Sequence, residues 1–189
     1  MTVLNIVVVD AITRDMAEVA VRQRTRDMDA GELRQPWFRA FVLDLFETLY
    51  ATPGGIGLAA PQVGVLRRVA VIALRDGTPP LVLVNPSYEP SGDGQSIEDE
   101  RCLSVPDFAA PVPRHAAIRV RYLNQSAQVQ DRVEQGFLAR VMQHEIDHLD
   151  GVLCIDRVDD KSQIRAEAGG YPGRQTARLA EELFGEPER

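Results

Sequence analysis

Apolar residues recur at helical spacing in two segments of the chain. The first segment begins at Pro36 and ends before Pro53-Gly54-Gly55, and the second runs from about Gly136 to Leu149. Residues three and four positions apart share one helix face, and proline is favoured at the first helical position. We therefore predict two amphipathic helices, with the aromatic residues of the first packed in the core. The residues at this spacing in the first helix are Trp37, Phe38, Phe41, Val42, Leu45, Phe46, Leu49 and Tyr50.

The segment between these helices has the patterns of β-strands. Runs rich in β-branched residues cover positions 69–74 and 81–84, with a turn at Gly77 between them. Apolar residues alternate with arginine over positions 118–122, which predicts a half-buried strand. The opening run 3–9 is too short for the apolar part of a signal peptide, so we interpret it as a buried strand. Strands grouped between helices, without strand–helix–strand alternation, predict an α+β fold.

Composition and charge narrow the classes of function. The chain has 189 residues, of which 44% are hydrophobic and 26% charged, as is typical of a soluble globular protein. Its formal net charge is −7, so it lacks the basic surplus that binds a phosphate backbone, and we expect no direct DNA binding. No apolar stretch reaches the length of a membrane span, so we expect no membrane contact and a cytoplasmic location. In that compartment Cys102 and Cys154 are expected as core residues or as metal or catalytic thiols.

The second predicted helix carries a metal-binding pattern. His144-Glu145-Ile146-Asp147-His148 places two histidines one turn apart, so both can reach a single ion, with Glu145 as general base on a water molecule there. On a helical wheel these three polar residues fall on or beside the apolar arc. Burying a polar group costs free energy unless the group has a hydrogen-bonding or metal partner. A bound metal therefore explains polar residues on the apolar side of the helix better than two hydrogen-bonded core histidines do. The apolar arc contains Phe137, Leu138, Val141, Met142 and Leu149, and the opposite side contains Arg140, Gln143, Asp147 and Asp150.

Two histidines leave a tetrahedral site in need of a third protein ligand. Cys154 occupies the place of the third histidine in the longer pattern His-Glu-x-x-His-x-x-Gly-x-x-His, and Gly151 is in register with its glycine. Cys102 is remote in sequence, and His115 is a weaker candidate. Spacing alone does not choose between the two cysteines.

Three segments of the chain, taken together and in order, resemble the peptide deformylase family. Gly55-Ile56-Gly57-Leu58-Ala59-Ala60-Pro61-Gln62 is similar to the first family motif, Gly-x-Gly-x-Ala-Ala-x-Gln. Glu100-Arg101-Cys102-Leu103-Ser104 is similar to the second, Glu-Gly-Cys-Leu-Ser, except for Arg101. The third motif surrounds His144 and His148. Milder similarity extends from Val3 to about Val158.

The resemblance implies a fold, a reaction and a set of residue roles. The fold would have antiparallel sheets around a central metal-binding helix, with a catalytic domain over residues 1–158. Residues 159–189 would form a C-terminal extension that the resemblance does not cover. In this extension Leu179, Leu183 and Phe184 fall on one side of a short helix predicted at 175–184. The reaction would remove the formyl group from the N-terminal formyl-methionine of new polypeptides and release formate. The metal would be one divalent ion, Fe²⁺ in vivo, with Zn²⁺, Ni²⁺ or Co²⁺ also accepted. The substrate would be a formylated peptide N-terminus, presented on the ribosome.

The resemblance also implies which residues bind the metal, transfer protons and contact the substrate. Cys102, His144 and His148 would hold the metal, and Glu145 would be the general base and acid. Gln62 and the backbone N–H of Leu103 would hydrogen-bond the formyl oxygen. Substrate would also pass Ile56, Gly57 and Arg101.

Arg101 departs from the family pattern, because glycine is expected beside the cysteine ligand. A long cationic side chain there can point outward, recognise an anionic group or hinder ordinary substrate. Two other hypotheses therefore stay open: an amidase for an unusual or small formylated compound, and a metal-binding relative without activity. A metalloprotease that uses Cys154 as ligand is disfavoured, because it leaves Gln62 and the Cys102 segment unexplained. The charged stretch 13–35 is expected to be loop with some helix.

Overall fold

A computed structural model of the chain describes residues 2–9 and 20–166. Within these residues two α-helices and eight β-strands form, together with several single-turn 3₁₀ helices. In chain order the main elements are α1 (Pro36–Ala51), β1 (Gly57–Ala59), β2 (Val69–Ile72), β3 (Leu81–Pro90), β4 (Gln95–Cys102), β5 (Val105–His115), β6 (Ala117–Leu123), β7 (Val129–Gln135), α2 (Gly136–Leu149) and β8 (Arg165–Ala166).

The strands form two antiparallel sheets. One sheet has the order β1-β2-β3-β6-β7, and the other has the order β4-β5-β8. On β6 the side chains of Ile118, Val120 and Tyr122 are buried while those of Arg119 and Arg121 are exposed. Side chains on a strand alternate between its two faces. The half-buried strand predicted from the alternation is therefore confirmed.

Helix α1 begins and ends where the apolar spacing predicted. Phe38 lies in the core, and Phe41 and Phe46 pack against it from partly buried positions. Trp37 and Tyr50 are 42% and 49% exposed, so the expectation that all the aromatic residues of this helix pack in the core is wrong for these two. They stand near opposite ends of the helix.

Helix α2 occupies the centre of the fold and has the predicted bounds. It contacts β1, β2, β3, β6 and β7 of the larger sheet and β5 of the smaller one. Because the helix is covered on both sides, its polar side is buried as well: Arg140, Gln143 and Asp147 are 4%, 1% and 3% exposed. This arrangement confirms an α+β fold with antiparallel sheets around a central helix.

The opening run was predicted incorrectly. Residues 3–9 form no strand, and only Val9 of this run is buried. Their amide groups donate one at a time to separate elements: Leu4 to Thr48 Oγ1, Val7 to the Gln62 carbonyl and Val9 to the Ser104 carbonyl. A sheet ladder requires successive hydrogen bonds to one partner strand, and this segment bridges several elements instead.

Two other predictions concern the less regular parts of the chain. The described part of the charged stretch, from residue 20 to 35, contains 3₁₀ turns at Ala20–Arg22 and Glu32–Arg34 within loop, as expected. The helix predicted at 175–184 lies outside the described residues. The domain limits at 158 and 159 stay predictions.

Neither of the two described helices is long and apolar enough to cross a bilayer.

Candidate metal centre

Three ligand atoms from two elements converge at the middle of α2. His144 and His148 lie one turn apart on this helix, and Cys102 is the last residue of β4. The two histidine Nε2 atoms are 3.1 Å apart, and Cys102 Sγ is 3.3 Å from His148 Nε2. All three ligand atoms lie within 4.8 Å of one another. The structure thus brings together the three residues to which the resemblance assigned the metal, and leaves His115 and Cys154 outside this group.

The donor set fits a divalent transition metal. Ligand atoms around one tetrahedral ion, with metal–nitrogen and metal–sulfur bonds of about 2.0–2.3 Å, lie roughly 3–4 Å from each other. The observed separations have this size. A thiolate with two imidazoles is also a donor combination preferred by Zn²⁺ and its soft or borderline neighbours. Among residues 2–9 and 20–166, the His144 Nε2 atom has His148 Nε2 as its hydrogen-bond partner, and His148 Nε2 has His144 Nε2 and Cys102 Sγ, so an ion between the rings would satisfy both nitrogens.

The end of β4 is shaped so that Cys102 faces the helix. The pairing of β4 with β5 shifts register between Arg101 and Cys102, and Leu103 and Ser104 then form the turn into β5. Irregular pairing of this kind redirects a side chain at the end of a strand. The backbone N–H of Ser104 lies 3.4 Å from Cys102 Sγ and donates to it.

Glu100 holds His144 from the side opposite the ligand cluster. Its Oε2 is 2.9 Å from His144 Nδ1, which leaves Nε2 of that ring directed at the other ligands. Outer hydrogen bonds of this type fix the tautomer and orientation of a histidine ligand. Burial opposes the charged imidazole, but the hydrogen bond to Glu100 and the nearby acidic groups raise the pKa of His144 to about 9. A proton and a metal ion therefore compete for this nitrogen.

A buried network of charges surrounds Glu100. Arg114 donates to both of its oxygens at 2.9 Å, and Arg140 Nη1 donates to Oε1 at 2.7 Å. Arg114 also binds Asp147 of α2, which in turn binds Arg157. Burial alone would raise the pKa of Glu100, but the hydrogen bonds from Arg114 and His144 hold it well below the ordinary value. Glu100 is therefore a buried carboxylate with two arginine partners.

Glu145 lies beside the ligand cluster and is 3% exposed. Burial raises its pKa to about 7, and its Oε2 has no hydrogen-bond partner among the described residues. Gly57 makes room for this carboxylate, because a Cβ atom at position 57 would come within 2.2 Å of Glu145 Oε1. The glycine of the first motif is thus required by the close approach of a side chain and needs no unusual backbone angle.

The Gln62 side chain closes a turn with its oxygen and directs its N–H groups at the ligand cluster. Its Oε1 accepts from the backbone N–H of Ala59 at 2.8 Å, which closes the turn Ala60–Val63. Its Nε2 is 3.3 Å from Ser104 Oγ and 3.9 Å from Cys102 Sγ, so the amide donor faces the ligand cluster. Fixing the oxygen in the turn orients the N–H groups.

A pocket of about 310 Å³ leads to the cluster. The sequence-predicted residues that line it are Ile56, Gly57, Gln62, Arg101, Leu103, His144 and Glu145. Phe137 and Val141 add apolar surface, and Glu98 and Asp99 add acidic groups beside Arg101. Arg101 is exposed, so its side chain stands at the outer part of the pocket.

Sequence reasoning did not assign a role to Glu100, Arg114 or Asp147. One signal was available for Glu100, because residues two apart on a strand share a face. Because Cys102 was predicted to face a metal, a regular strand would place the Glu100 side chain on the same side. Both side chains are buried in the structure, although the strand pairing is irregular at Cys102. No comparable signal exists for Arg114 and Asp147, whose partners come from distant parts of the chain.

Comparisons with known proteins agree with this geometry. The sequence profile of the family described as polypeptide deformylase matches residues 9–163. Peptide deformylase 1 of Streptomyces coelicolor is 44% identical over 155 residues, which is 75% of this chain and 71% of that protein. The peptide deformylase of Brucella suis is 46% identical over 123 residues, which is 64% of this chain and 70% of that protein.

Solved structures of deformylases have the same fold. The crystal structure of the enzyme from Thermotoga maritima has a TM-score of 0.74 and 30% identity, over 85% of this chain and all of that one. The enzyme from Synechococcus elongatus in complex with actinonin has a TM-score of 0.73 and 34% identity, over 85% of this chain and 81% of that one. With a family profile that spans most of its length and relatives at this identity, the chain belongs to the polypeptide deformylase family.

Proposed function

We propose that this protein is a metal-dependent hydrolase that removes the N-formyl group from the N-terminal formyl-methionine of polypeptides and releases formate. One observation carries the proposal: the ligand atoms of Cys102, His144 and His148 lie within 4.8 Å of one another, and His144 lines a pocket together with the Glu145 carboxylate. A thiolate, two imidazoles and an adjacent carboxylate form a site for metal-assisted hydrolysis of an amide.

The ion proposed for this site is a single divalent metal, Fe²⁺ in vivo, with Zn²⁺, Ni²⁺ and Co²⁺ as substitutes. Cys102, His144 and His148 would hold it, while Glu100 orients His144. When bound, such an ion lowers the pKa of water and polarises a carbonyl group. Three protein ligands leave a position open, as in other catalytic sites of this kind.

The remaining chemistry belongs to side chains of the pocket. Glu145 takes a proton from water and delivers it to the leaving amine, a role suited to a carboxyl group whose pKa is raised by burial. The Gln62 amide and the backbone N–H of Leu103 donate to the formyl oxygen as negative charge develops on it. One such donor contributes about 3–4 kcal/mol to the transition state.

The substrate is proposed to be the formylated N-terminus of a nascent chain at the ribosome, in the cytoplasm. Ile56, Gly57 and Arg101 line its path, and Arg101 is the exposed residue of the three. The apolar surface of Phe137 and Val141 suits a methionine side chain.

The assay that tests this function is formate release from a formyl-Met peptide. Glu145→Gln should keep stoichiometric metal and lose about 10²–10⁴-fold in turnover, because an amide cannot accept the proton. Cys102→Ala should lose the metal and Cys154→Ala should retain it, as elemental analysis would report. Formate release at the wild-type rate by Glu145→Gln, or full metal content in Cys102→Ala, would contradict the assignment.

Arg101 supports a second candidate, an amidase for an unusual formylated substrate. It introduces a cation at the pocket where the family motif has glycine. If it recognises an anionic group, Arg101→Gly should lower kcat/KM selectively for acidic formyl peptides, and the preference of the wild type should fade as salt rises. If it hinders ordinary substrate, the same change should raise kcat/KM for neutral peptides. Equal kinetics of both proteins across the panel would remove Arg101 from substrate selection.

A further inference from the structure

The pocket that leads to the metal centre has a charged part as well as an apolar part. Ile56, Phe137 and Val141 give it apolar surface, while Glu98 and Arg140 also line it and carry opposite charges. The function proposed above fills this pocket with a methionine side chain and gives no part to Glu98. A neutral apolar side chain makes no use of a carboxylate, so that function leaves this part of the lining unexplained.

Local geometry places Glu98 and Arg140 just outside the ligand cluster. Arg140 lies one turn before His144 on α2, which is ~5.4 Å along the helix axis. Glu98 lies two residues before Glu100 on β4, and residues two apart on a strand share a face. Because Glu100 binds His144, this face of β4 is turned to α2. A side chain of methionine's length spans a similar distance, so one that begins beside the metal centre would end near Glu98.

Arg140 is held in place mainly by groups other than Glu98. Its Nη1 donates to Glu100 Oε1 at 2.7 Å and to the Val112 carbonyl at 3.0 Å, and its Nη2 donates to the Ser96 carbonyl at 2.8 Å. Its Nε is buried and has no hydrogen-bond partner among the described residues, and Glu98 Oε2 is 3.6 Å away from it. The guanidinium is thus fixed, and the Glu98 carboxylate contacts it at ion-pair distance, beyond the length of its hydrogen bonds.

The Glu98 carboxylate is accessible to a molecule in the pocket. Its side chain is 57% exposed, compared with 5% for Arg140 and 6% for Glu100. A ligand that covers this carboxylate removes water from it, which costs free energy unless the ligand donates a hydrogen bond in return. An apolar group cannot donate, whereas an ammonium group can, and its charge strengthens the bond. The pocket therefore favours a side chain with an apolar stem and a cationic end.

We propose that Glu98 is a specificity-determining residue, and that its carboxylate binds a cationic group at the end of the substrate's first side chain. The inference rests on the proposed function and names its substrate class more closely: N-formyl peptides whose first residue has an unbranched aliphatic stem and a terminal ammonium group. Phe137 and Val141 pack against the stem, and Glu98 accepts a hydrogen bond from the ammonium group.

The test compares two formyl peptides that differ only in their first residue, ornithine or norleucine. Both side chains have the length of methionine, and only that of ornithine ends in an ammonium group. Isothermal titration calorimetry on the metal-loaded Glu145→Gln variant measures binding without removal of the formyl group. We expect the ornithine peptide to bind about tenfold more tightly, as one hydrogen bond between charged groups provides. This preference should fade as salt is added, because Glu98 is partly exposed.

Glu98→Gln, introduced into the same variant, should lose most of the preference, because the amide keeps the shape of the side chain and lacks its charge. Asp99→Asn is the matched control. It removes the same charge from the next residue of β4, whose side chain alternates to the other face and binds Arg165, so it should keep the preference. The control separates direct binding by Glu98 from a general effect of negative charge near the pocket.

Equal affinities for the two peptides, or no binding of either, would overturn the inference. An undiminished preference in Glu98→Gln, or an equal loss of preference in Asp99→Asn, would overturn it as well. Formate release by the wild type is measured separately. Its absence with every peptide would contradict the proposed function, while the ratio of the two affinities would still decide the role of Glu98.

Discussion

Two groups of arginines and carboxylates in this molecule have similar chemistry and opposite surroundings. Beneath α2, Arg114 binds Glu100 and Asp147, and the side chains of all three are at most 6% exposed. On the outer face of β6 and β7, Arg119 and Arg121 share Asp131, with side chains 29–60% exposed. The hydrogen bonds measure 2.5–2.9 Å in the buried group and 2.7–3.0 Å in the exposed group, so bond length does not explain the difference developed below.

The difference between the groups is the cost of losing a partner. A charge left alone on the surface is solvated by water, and exposed pairs contribute little to stability. A charge left alone in the interior has no such compensation. The buried group also reaches the metal centre, because Glu100 binds His144. We therefore expect substitutions in the two groups to differ in stability and in metal affinity.

The largest effect is expected for Arg114→Met. This change leaves Glu100 with Arg140 and His144, and leaves Asp147 with the partly exposed Arg157. Removing one partner of a buried ion pair costs about 3–5 kcal/mol. Urea unfolding of the variant and wild type, in the same metal-loaded form, measures it. Arg121→Met is the matched control on the surface. Equal unfolding midpoints for the two variants would show that burial does not separate the groups.

A smaller effect, on metal affinity, is expected for Glu100→Gln. The amide is close in shape to the carboxylate but is a weaker partner for His144 Nδ1, and loss of an outer partner lowers metal affinity about 10–100-fold. Competition with a chelator of known affinity measures the change. Asp131→Asn, the same chemical change in the exposed group, should leave the affinity at the wild-type value. An unchanged affinity in Glu100→Gln would mean that Glu100 does not support the ligand.

Arg157→Ala should have an intermediate effect on stability. Arg157 binds the buried Asp147, but its own side chain is 43% exposed and Arg114 continues to bind Asp147. Solvent screens the lost interaction, so we expect about 1 kcal/mol or less. Urea unfolding should place this variant between Arg114→Met and Arg121→Met. A loss as large as that of Arg114→Met would show that the network acts as one unit.

The smallest effect is expected for Asp131→Asn. Hydrogen bonds from Arg119 and Arg121 lower the pKa of Asp131. The contribution of this group is therefore present above the pKa of about 3.9 in the unfolded chain and is lost as pH falls through the lower folded value. Near neutral pH the unfolding midpoint should barely move, and any difference should shrink as salt is added. A difference that persists at high salt would indicate that the surface pair is not screened.

Much of this protein could be predicted from its sequence. The spacing of apolar residues gave the bounds of α1 and α2, and alternation identified β6, because these patterns depend only on the local geometry of a helix or strand. His144 and His148 were paired for the same reason, since residues four apart share a helix face. The choice of Cys102 over Cys154 rested on the resemblance of a whole segment, and spacing could not make it.

Tertiary structure alone decided which faces are buried and what they meet. A helical wheel places Arg140, Gln143 and Asp147 opposite the apolar arc, but it cannot show that a second sheet covers that side and supplies charged partners. The run 3–9 has the composition of a strand, yet it finds single hydrogen bonds on separate elements. Each of these outcomes depends on segments brought together only by folding, and local sequence contains no record of such partners.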